Sequence, residues 1–285
     1  MVLLLGLAAA VLYGTGDFLG GLATRKVPVL AVLLFAQTAG VIVALPAAVM
    51  WPGPASLAGL AWGISAGLIG GVGVIIFYLG LAAGPMSVVA PVSGLVSTVL
   101  PVAVALAEGE RPGVGVNAGA LLCLAAVVLT SCAGDDTPAA RPRRLPGAVR
   151  VLGYGIASGT SFGLFFLLIR NAGQSGELWP VAAARIGELA VVLVTAAALR
   201  RSLRPRGAQG RLRLAAAAAG AIDVTANICY VAATRTGKFG LAVVLAALYP
   251  AVTVLLARVV LGERLRWVQR AGLGLAAIGI ILVTT

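Results

Sequence analysis

Apolar residues fill this chain in ten long blocks: 2 to 22, 28 to 50, 57 to 82, 86 to 107, 113 to 132, 149 to 170, 178 to 199, 212 to 234, 239 to 260 and 267 to 284. A hydrocarbon core of about 30 Å is crossed by about 20 apolar residues of helix. Backbone polar groups in lipid must be satisfied within their own segment, so each block is expected to be a helix and not a strand. The longest hydrophilic connection, 133 to 148, holds Asp135, Asp136, Pro138, Pro142, Arg143, Arg144 and Pro146 and reads as a linker. It separates a first repeat, 1–132, from a second, 149–285, with five helices in each. A second polar stretch, 200 to 213, places six arginines between helices seven and eight.

Five helices per half is an odd number, so the second half enters the membrane from the opposite side. The expected fold is an all-α membrane protein of ten transmembrane helices, arranged as two inverted five-helix repeats. A repeated motif agrees with a duplication. Gly109-Glu110-Arg111 closes one apolar block and Gly262-Glu263-Arg264 another, and a further glycine, Gly119 or Gly272, follows each glutamate at the same distance. Glycines recur every four residues at Gly59, Gly63, Gly67 and Gly71, and again at Gly155, Gly159 and Gly163. Such stripes let helix backbones approach closely, as static packing or as a sliding surface. Pro91 and Pro101 in helix four and Pro250 in helix nine interrupt the helical ladder, and bends are expected there.

Composition places the chain in the same class. Hydrophobic residues make up 60% and charged residues 11%, against about 25% charged in an ordinary soluble domain. The first residues lack the basic start of a secretory signal, so the first block is expected to remain as a span. The net charge of +12 is explained by positive-inside anchoring and not by nucleic acid, because nearly all of it sits in short connections. Connections after odd-numbered helices, with their flanks, hold sixteen Lys and Arg residues, and the opposite connections hold Arg111, Arg170, Arg235 and Lys238. This count puts both termini outside. Cys123, Cys132 and Cys229 lack metal-ligand spacing and read as packing. Histidine is absent, so a proton relay would use carboxylates, water or tyrosine. No cofactor or metal is implied.

The stretch from Leu245 to Val283, with Gly262-Glu263-Arg264 at its centre, resembles the closing helices of an EamA-type domain of the drug/metabolite transporter superfamily. Val88 to Val128 resembles it more loosely, and Tyr13-Gly14-Thr15-Gly16-Asp17-Phe18 is similar to the start of helix one in that family. The resemblance spans both halves. It implies a ten-helix exporter or importer of small metabolites with a central cavity, and termini in the cytoplasm, opposite to the charge count. The first copy departs from the second by carrying Glu108 where the second has Leu261.

An ionisable group at a helix centre costs about 2.5–3.5 kcal/mol on insertion scales, so each one requires a reason. Asp17 shares a face with Tyr13 and resembles the first-helix carboxylate of small multidrug exporters, with aspartate in place of glutamate. It also fits an interfacial aspartate paired with Arg25. Arg185 and Glu188, three apart, can form an intrahelical ion pair, or Arg185 can be released to bind a substrate carboxylate or phosphate. Asp223 has no basic partner in its own helix and shares a face with Asn227 and Tyr230, a set suited to a polar ligand or a proton. A desolvated carboxylate can exchange a proton near neutral pH, a role expected of Asp223 and also of Asp17. Further cavity candidates are Gln37, Tyr78, Ser93, Ser97, Tyr154, Ser158, Ser161 and Tyr249, although serines often bond to their own helix.

The reading that follows is a multi-pass secondary transporter of small metabolites in the plasma or inner membrane, an exporter of amino acids or related compounds, proton-coupled by alternating access. Its partners are the lipid bilayer, a small-molecule substrate and protons. The alternative is a lipid-carrier flippase of the same superfamily, with Arg185 as the headgroup site. No HExxH, GxSxG, paired-aspartate or phosphate-loop motif points to an enzyme. Oligomeric state is left open, and a monomer is compatible with the sequence.

Overall fold

A computed structural model describes residues 1–24, 26–51, 53, 55–83, 86–109, 113–131, 148–172, 178–200, 210–236, 239–261 and 267–284. Arg25, Glu110, Arg111, the linker 133–147, the arginines at 201, 204 and 206 and the second Gly-Glu-Arg motif lie outside the described residues. Each apolar block becomes helix. The elements are α1 (Val2–Thr24), α2 (Val29–Met50), α3 (Leu57–Ala83), α4 (Met86–Ala107), α5 (Val114–Ser131), α6 (Ala148–Ala172), α7 (Trp179–Ala198), α8 (Gly210–Thr234), α9 (Phe239–Ala246), α10 (Tyr249–Leu261) and α11 (Trp267–Thr284). Among the described residues seven helical stretches are long and apolar enough to cross a membrane, and Val92–Ala107 is a shorter apolar one.

The block expected as helix nine is two helices. Pro250 has no N–H to offer the Ala246 carbonyl, so the ladder tightens before it: the Leu248 N–H donates to the Leu245 carbonyl at 3.2 Å. The chain restarts at Tyr249 with the Ala251 N–H on the Leu248 carbonyl at 3.0 Å. The loosened backbone meets α1, where the Thr253 hydroxyl lies 3.1 Å from both the Gly14 and the Tyr249 carbonyl oxygens. By contrast, α4 runs without interruption through Pro91 and Pro101.

Contacts between the halves follow a reciprocal rule. The first helix of the first half, α1, lies along α8, α9 and α10; the first helix of the second half, α6, lies along α3 and α4. In the same way α2 packs on α8, α7 packs on α3, and α5 packs on α11. Glycine makes these approaches close. A methyl group on Gly63 or Gly67 would strike the backbone of Pro180 or Ala184 in α7, and one on Gly220 would strike the Ala36 carbonyl in α2. The stripe Gly155, Gly159, Gly163 lies along Val92, Ser93, Val96 and Ser97 of α4. Both stripes read from the sequence are therefore helix contacts between the halves.

At one end of the bundle Gly109 ends α4 with a φ of 90°, a left-handed conformation that a side chain would strain. Just before it, Glu108 receives both guanidinium nitrogens of Arg170 at the end of α6, at 2.9 and 2.6 Å. The Arg170 guanidinium also lies 4.0 Å from the ring centre of Phe239. The charge that distinguishes Glu108 from Leu261 thus ties α4 of one half to α6 of the other.

Gly220→Ala is expected to lose at least about 1–3 kcal/mol to overpacking. Gly153→Ala, where nothing lies within 4 Å, should gain about 0.5–1 kcal/mol from helix propensity. Thermal unfolding in detergent separates the two. The hydrogen bonds from Arg170 hold the Glu108 carboxyl below its ordinary range. A depressed folded-state pKa means that the pair stabilises above the ordinary carboxylate range and is lost as pH falls through the depressed value. With Glu108 47% exposed, the effect stays within about 1 kcal/mol. The small difference in melting temperature between wild type and Glu108→Gln at neutral pH should shrink as pH falls below the ordinary carboxylate range.

Candidate functional site

The halves enclose a cavity of about 790 Å³, counted with its mouth, lined from α1, α2, α3, α4, α6, α7, α8 and the start of α10. At its centre Arg185 is 2% exposed. Its Nη1 donates to Glu188 at 2.8 Å and to Gln37 Oε1 at 3.3 Å, and its Nη2 reaches Asp223 Oδ2 at 2.6 Å. Asn227, one turn after Asp223, donates from Nδ2 to the Asp223 backbone carbonyl at 3.0 Å and to Oδ2 at 3.5 Å. The Tyr13 hydroxyl donates to Asn227 Oδ1 at 2.8 Å. A single polar chain thereby runs from Glu188 through Arg185, Asp223 and Asn227 to Tyr13, with Gln37 at its side, and joins α7 and α8 to α1 and α2.

Local sequence makes this possible. Spacings of three and four put Glu188 beside Arg185 and Asn227 beside Asp223. Gly40 leaves room for the arginine stem, since a methyl there would lie 3.1 Å from Arg185 Cδ; Gly70 does the same for Glu188, at 3.0 Å from Oε1. The members differ in access. Glu188 and Asn227 are almost fully buried, whereas the Asp223 side chain is 34% exposed to the cavity.

Aromatic rings form the wall. Tyr13 meets Phe166 edge to face at 6.0 Å and Tyr249 at 6.4 Å; Phe165 meets Phe166 at 5.7 Å. Phe162 packs on Phe77 at 5.6 Å, and Phe77 on Tyr78 at 5.9 Å.

Of the residues expected at the site, Tyr13, Asp17, Gln37, Tyr78, Ser97, Arg185, Glu188, Asp223, Asn227 and Tyr249 line the cavity. The remainder lie elsewhere. Tyr230 is fully buried behind the wall, 4.7 Å from the ring of Phe166. Ser158 donates to the Tyr154 carbonyl at 2.7 Å and lies 3.0 Å from the Ser93 hydroxyl, so both serines serve the α4–α6 contact. The Ser161 hydroxyl donates to its own helix at Ala157. Tyr154 lies under Arg150, 5.7 Å from the guanidinium. Asp223 has no basic partner within its own helix; its partner is Arg185 of the neighbouring helix. The partner proposed for Asp17, Arg25, is outside the described residues. Phe162, Phe165 and Phe166 were not anticipated. Only their spacing within Ser161-Phe162-Gly163-Leu164-Phe165-Phe166 could have drawn attention to them, and an apolar residue in an apolar helix gives no sign of whether it faces lipid or a cavity.

A family model described as the EamA-like transporter family matches residues 1–132 and again residues 150–285. The chain belongs to that family. Two matches in one chain make it a two-repeat EamA protein, a multi-pass membrane protein of a transporter family. Among solved structures 22 chains resemble it. One crystal structure, described only as that of a protein, is 20% identical and superposes with a TM-score of 0.71 over 99% of this EamA chain and 96% of its own length. At that identity the likeness concerns the fold alone. No curated protein matches the chain.

The network makes a prediction for the EamA protein. Arg185→Ala leaves the buried Glu188 and the partly exposed Asp223 without a counter-charge, at a cost of about 3–5 kcal/mol. It should abolish the folded peak in detergent size-exclusion chromatography. Adding Glu188→Gln and Asp223→Asn to Arg185→Met should restore that peak, because the two acids that Arg185 compensates are then neutral.

Proposed function

We propose that this EamA protein is a proton-coupled secondary transporter that exports amino acids or related small compounds by alternating access. In this reading ten spans form two inverted five-helix repeats, 1–132 and 149–285, in the cell membrane. The observation that carries it is the polar chain from Glu188 to Tyr13, set in a cavity between the halves and built from helices of both. A carboxylate in such a place, partly open to the cavity, fits a proton carrier, because ionisable groups inside a membrane bundle mark proton and substrate paths. Asp223 occupies that position. Protonating it weakens the link between α7 and α8 and frees an arginine nitrogen, a local change that both halves would feel.

The cavity's position supports access from one side. Leu33, Val74, Tyr78 and Ala219 lie on the segments of α2, α3 and α8 nearest the arginine-rich connections. At the opposite end Glu108 and Arg170 join α4 to α6. By the positive-inside rule the end nearer those connections is the cytoplasmic one, the side from which an exporter is loaded.

Proteoliposomes holding wild type and Asp223→Asn at equal density test the reading. Wild type should move solute faster when a proton gradient is imposed, and Asp223→Asn should lose at least about tenfold of that gradient-driven rate while still inserting and folding. Equal gradient dependence in both proteins would remove Asp223 from the coupling step. Movement of lipid-linked but not soluble cargo would replace the reading with a flippase.

A further inference from the structure

We propose that Arg170 is a two-position clasp at the end of the bundle opposite the arginine-rich connections. Seated on Glu108 it holds that end shut; turned inward onto the Tyr230 hydroxyl it lets α4 part from α6 and α9. The inference rests on the transporter reading and names the residues that close one side of its access cycle.

The closed seat is the one observed. Glu108, at the end of α4, accepts from both terminal nitrogens of Arg170 at 2.9 and 2.6 Å, and the guanidinium lies 4.0 Å from the centre of the Phe239 ring. Three helices therefore meet on one side chain: α4 of the first half, and α6 and the start of α9 of the second. Glu108 is 47% exposed and Arg170 18%, whereas Phe239 is buried. The carboxylate thus faces solvent and the ring faces the interior. An ion pair this open is worth at most about fivefold in an equilibrium, as suits a contact that must break in every cycle.

The inner seat is marked by an unsatisfied atom. Among the described residues two buried side-chain polar atoms lack a hydrogen bond, Arg185 Nε and the Tyr230 hydroxyl. The first belongs to the central network. Tyr230 is fully buried, and a hydroxyl left unpaired there is costly. The charge of Arg170 reaches it. Phe166 lies one turn before Arg170 on the same face of α6, with its ring centre 4.7 Å from that of Tyr230. A guanidinium N–H donated to the Tyr230 oxygen makes a charge-assisted bond, and the Phe239 ring is a flat surface over which the guanidinium can turn while keeping its cation–π contact.

The clasp is joined to the cavity through the same ring. Phe166 and Tyr13 both line the cavity and meet edge to face at 6.0 Å. Cargo that displaces Phe166 moves the wall against which Tyr230 is held, and so bears on the inner seat. The second copy of the repeat has Leu261 where the first has Glu108, so the carboxylate half of the clasp is present in one copy alone.

Spin labels at Leu4 of α1 and Leu106 of α4, both exposed, report the motion, because α1 lies along α9 and the distance lengthens when α4 leaves α9. Double electron–electron resonance on the full-length protein in nanodiscs, with Cys123→Ala, Cys132→Ala and Cys229→Ala, should give a main short distance and a minor long one. Glu108→Gln should raise the long-to-short ratio about two- to fivefold, and high salt should do the same to the wild type. Tyr230→Phe, which keeps the ring, should lower the ratio at least about twofold. The double variant should return near the wild-type ratio, since the two changes act on opposite states. A ratio that does not rise in Glu108→Gln overturns the proposal. So does a Tyr230→Phe ratio equal to wild type, the result for a tyrosine that only packs. If Glu108→Gln does not fold, Tyr230→Phe and the salt series decide by the same criteria. Distances that respond as stated while no variant moves solute in proteoliposomes would defeat the transporter reading and leave the clasp standing. Gradient-driven transport with distances indifferent to both substitutions would do the reverse.

Discussion

A guanidinium held in the middle of an apolar bundle needs compensating charge, and much of this molecule is arranged around that requirement. Arg185 is almost without solvent, and insertion of such a group costs about 2.5–3.5 kcal/mol unless it is paired. One carboxylate comes from its own helix, a second from α8, and an amide oxygen from α2. Since α2 belongs to the first half and α7 and α8 to the second, satisfying one side chain also fixes the register between the halves.

Small residues give that arrangement its geometry. Lipid supplies no hydrophobic force between helices, so association relies on close backbone approach and on interhelical hydrogen bonds. Gly63 and Gly67 admit α7 against α3, and Gly220 admits α2 against α8. These reciprocal contacts leave a gap at the centre of the bundle, where longer polar and aromatic side chains reach inward. Gly40 and Gly70 then make space for Arg185 and Glu188 themselves. Packing glycines and charged residues are parts of the same construction.

The two halves are alike without being equal. Pro250 divides the ninth apolar block into α9 and α10 and places Tyr249 at the cavity edge, whereas α4 passes through its prolines as one helix. Glu108 is bound by Arg170 at one end of the bundle, a tie that depends on the carboxylate present in the first copy of the repeat and absent from the second, where Leu261 stands. Such differences between duplicated units give a symmetric scaffold a direction.

The positions of the helices were legible in the chain, because an uninterrupted apolar block in lipid has no alternative that satisfies its backbone; the observed ends lie within about two residues of those blocks. The polar members of the cavity were legible for a related reason, since an ionisable or amide side chain within such a block is conspicuous by its cost. What the sequence could not express is which helix faces which. The pairing of Asp223 with Arg185 across helices, the withdrawal of Ser93, Ser158 and Tyr230 into helix contacts, and the turning of Phe162, Phe165 and Phe166 toward the cavity all depend on the rotation of each helix about its axis. That rotation was decided by tertiary packing, because in a uniformly apolar helix only close contact with a neighbour distinguishes one face from another.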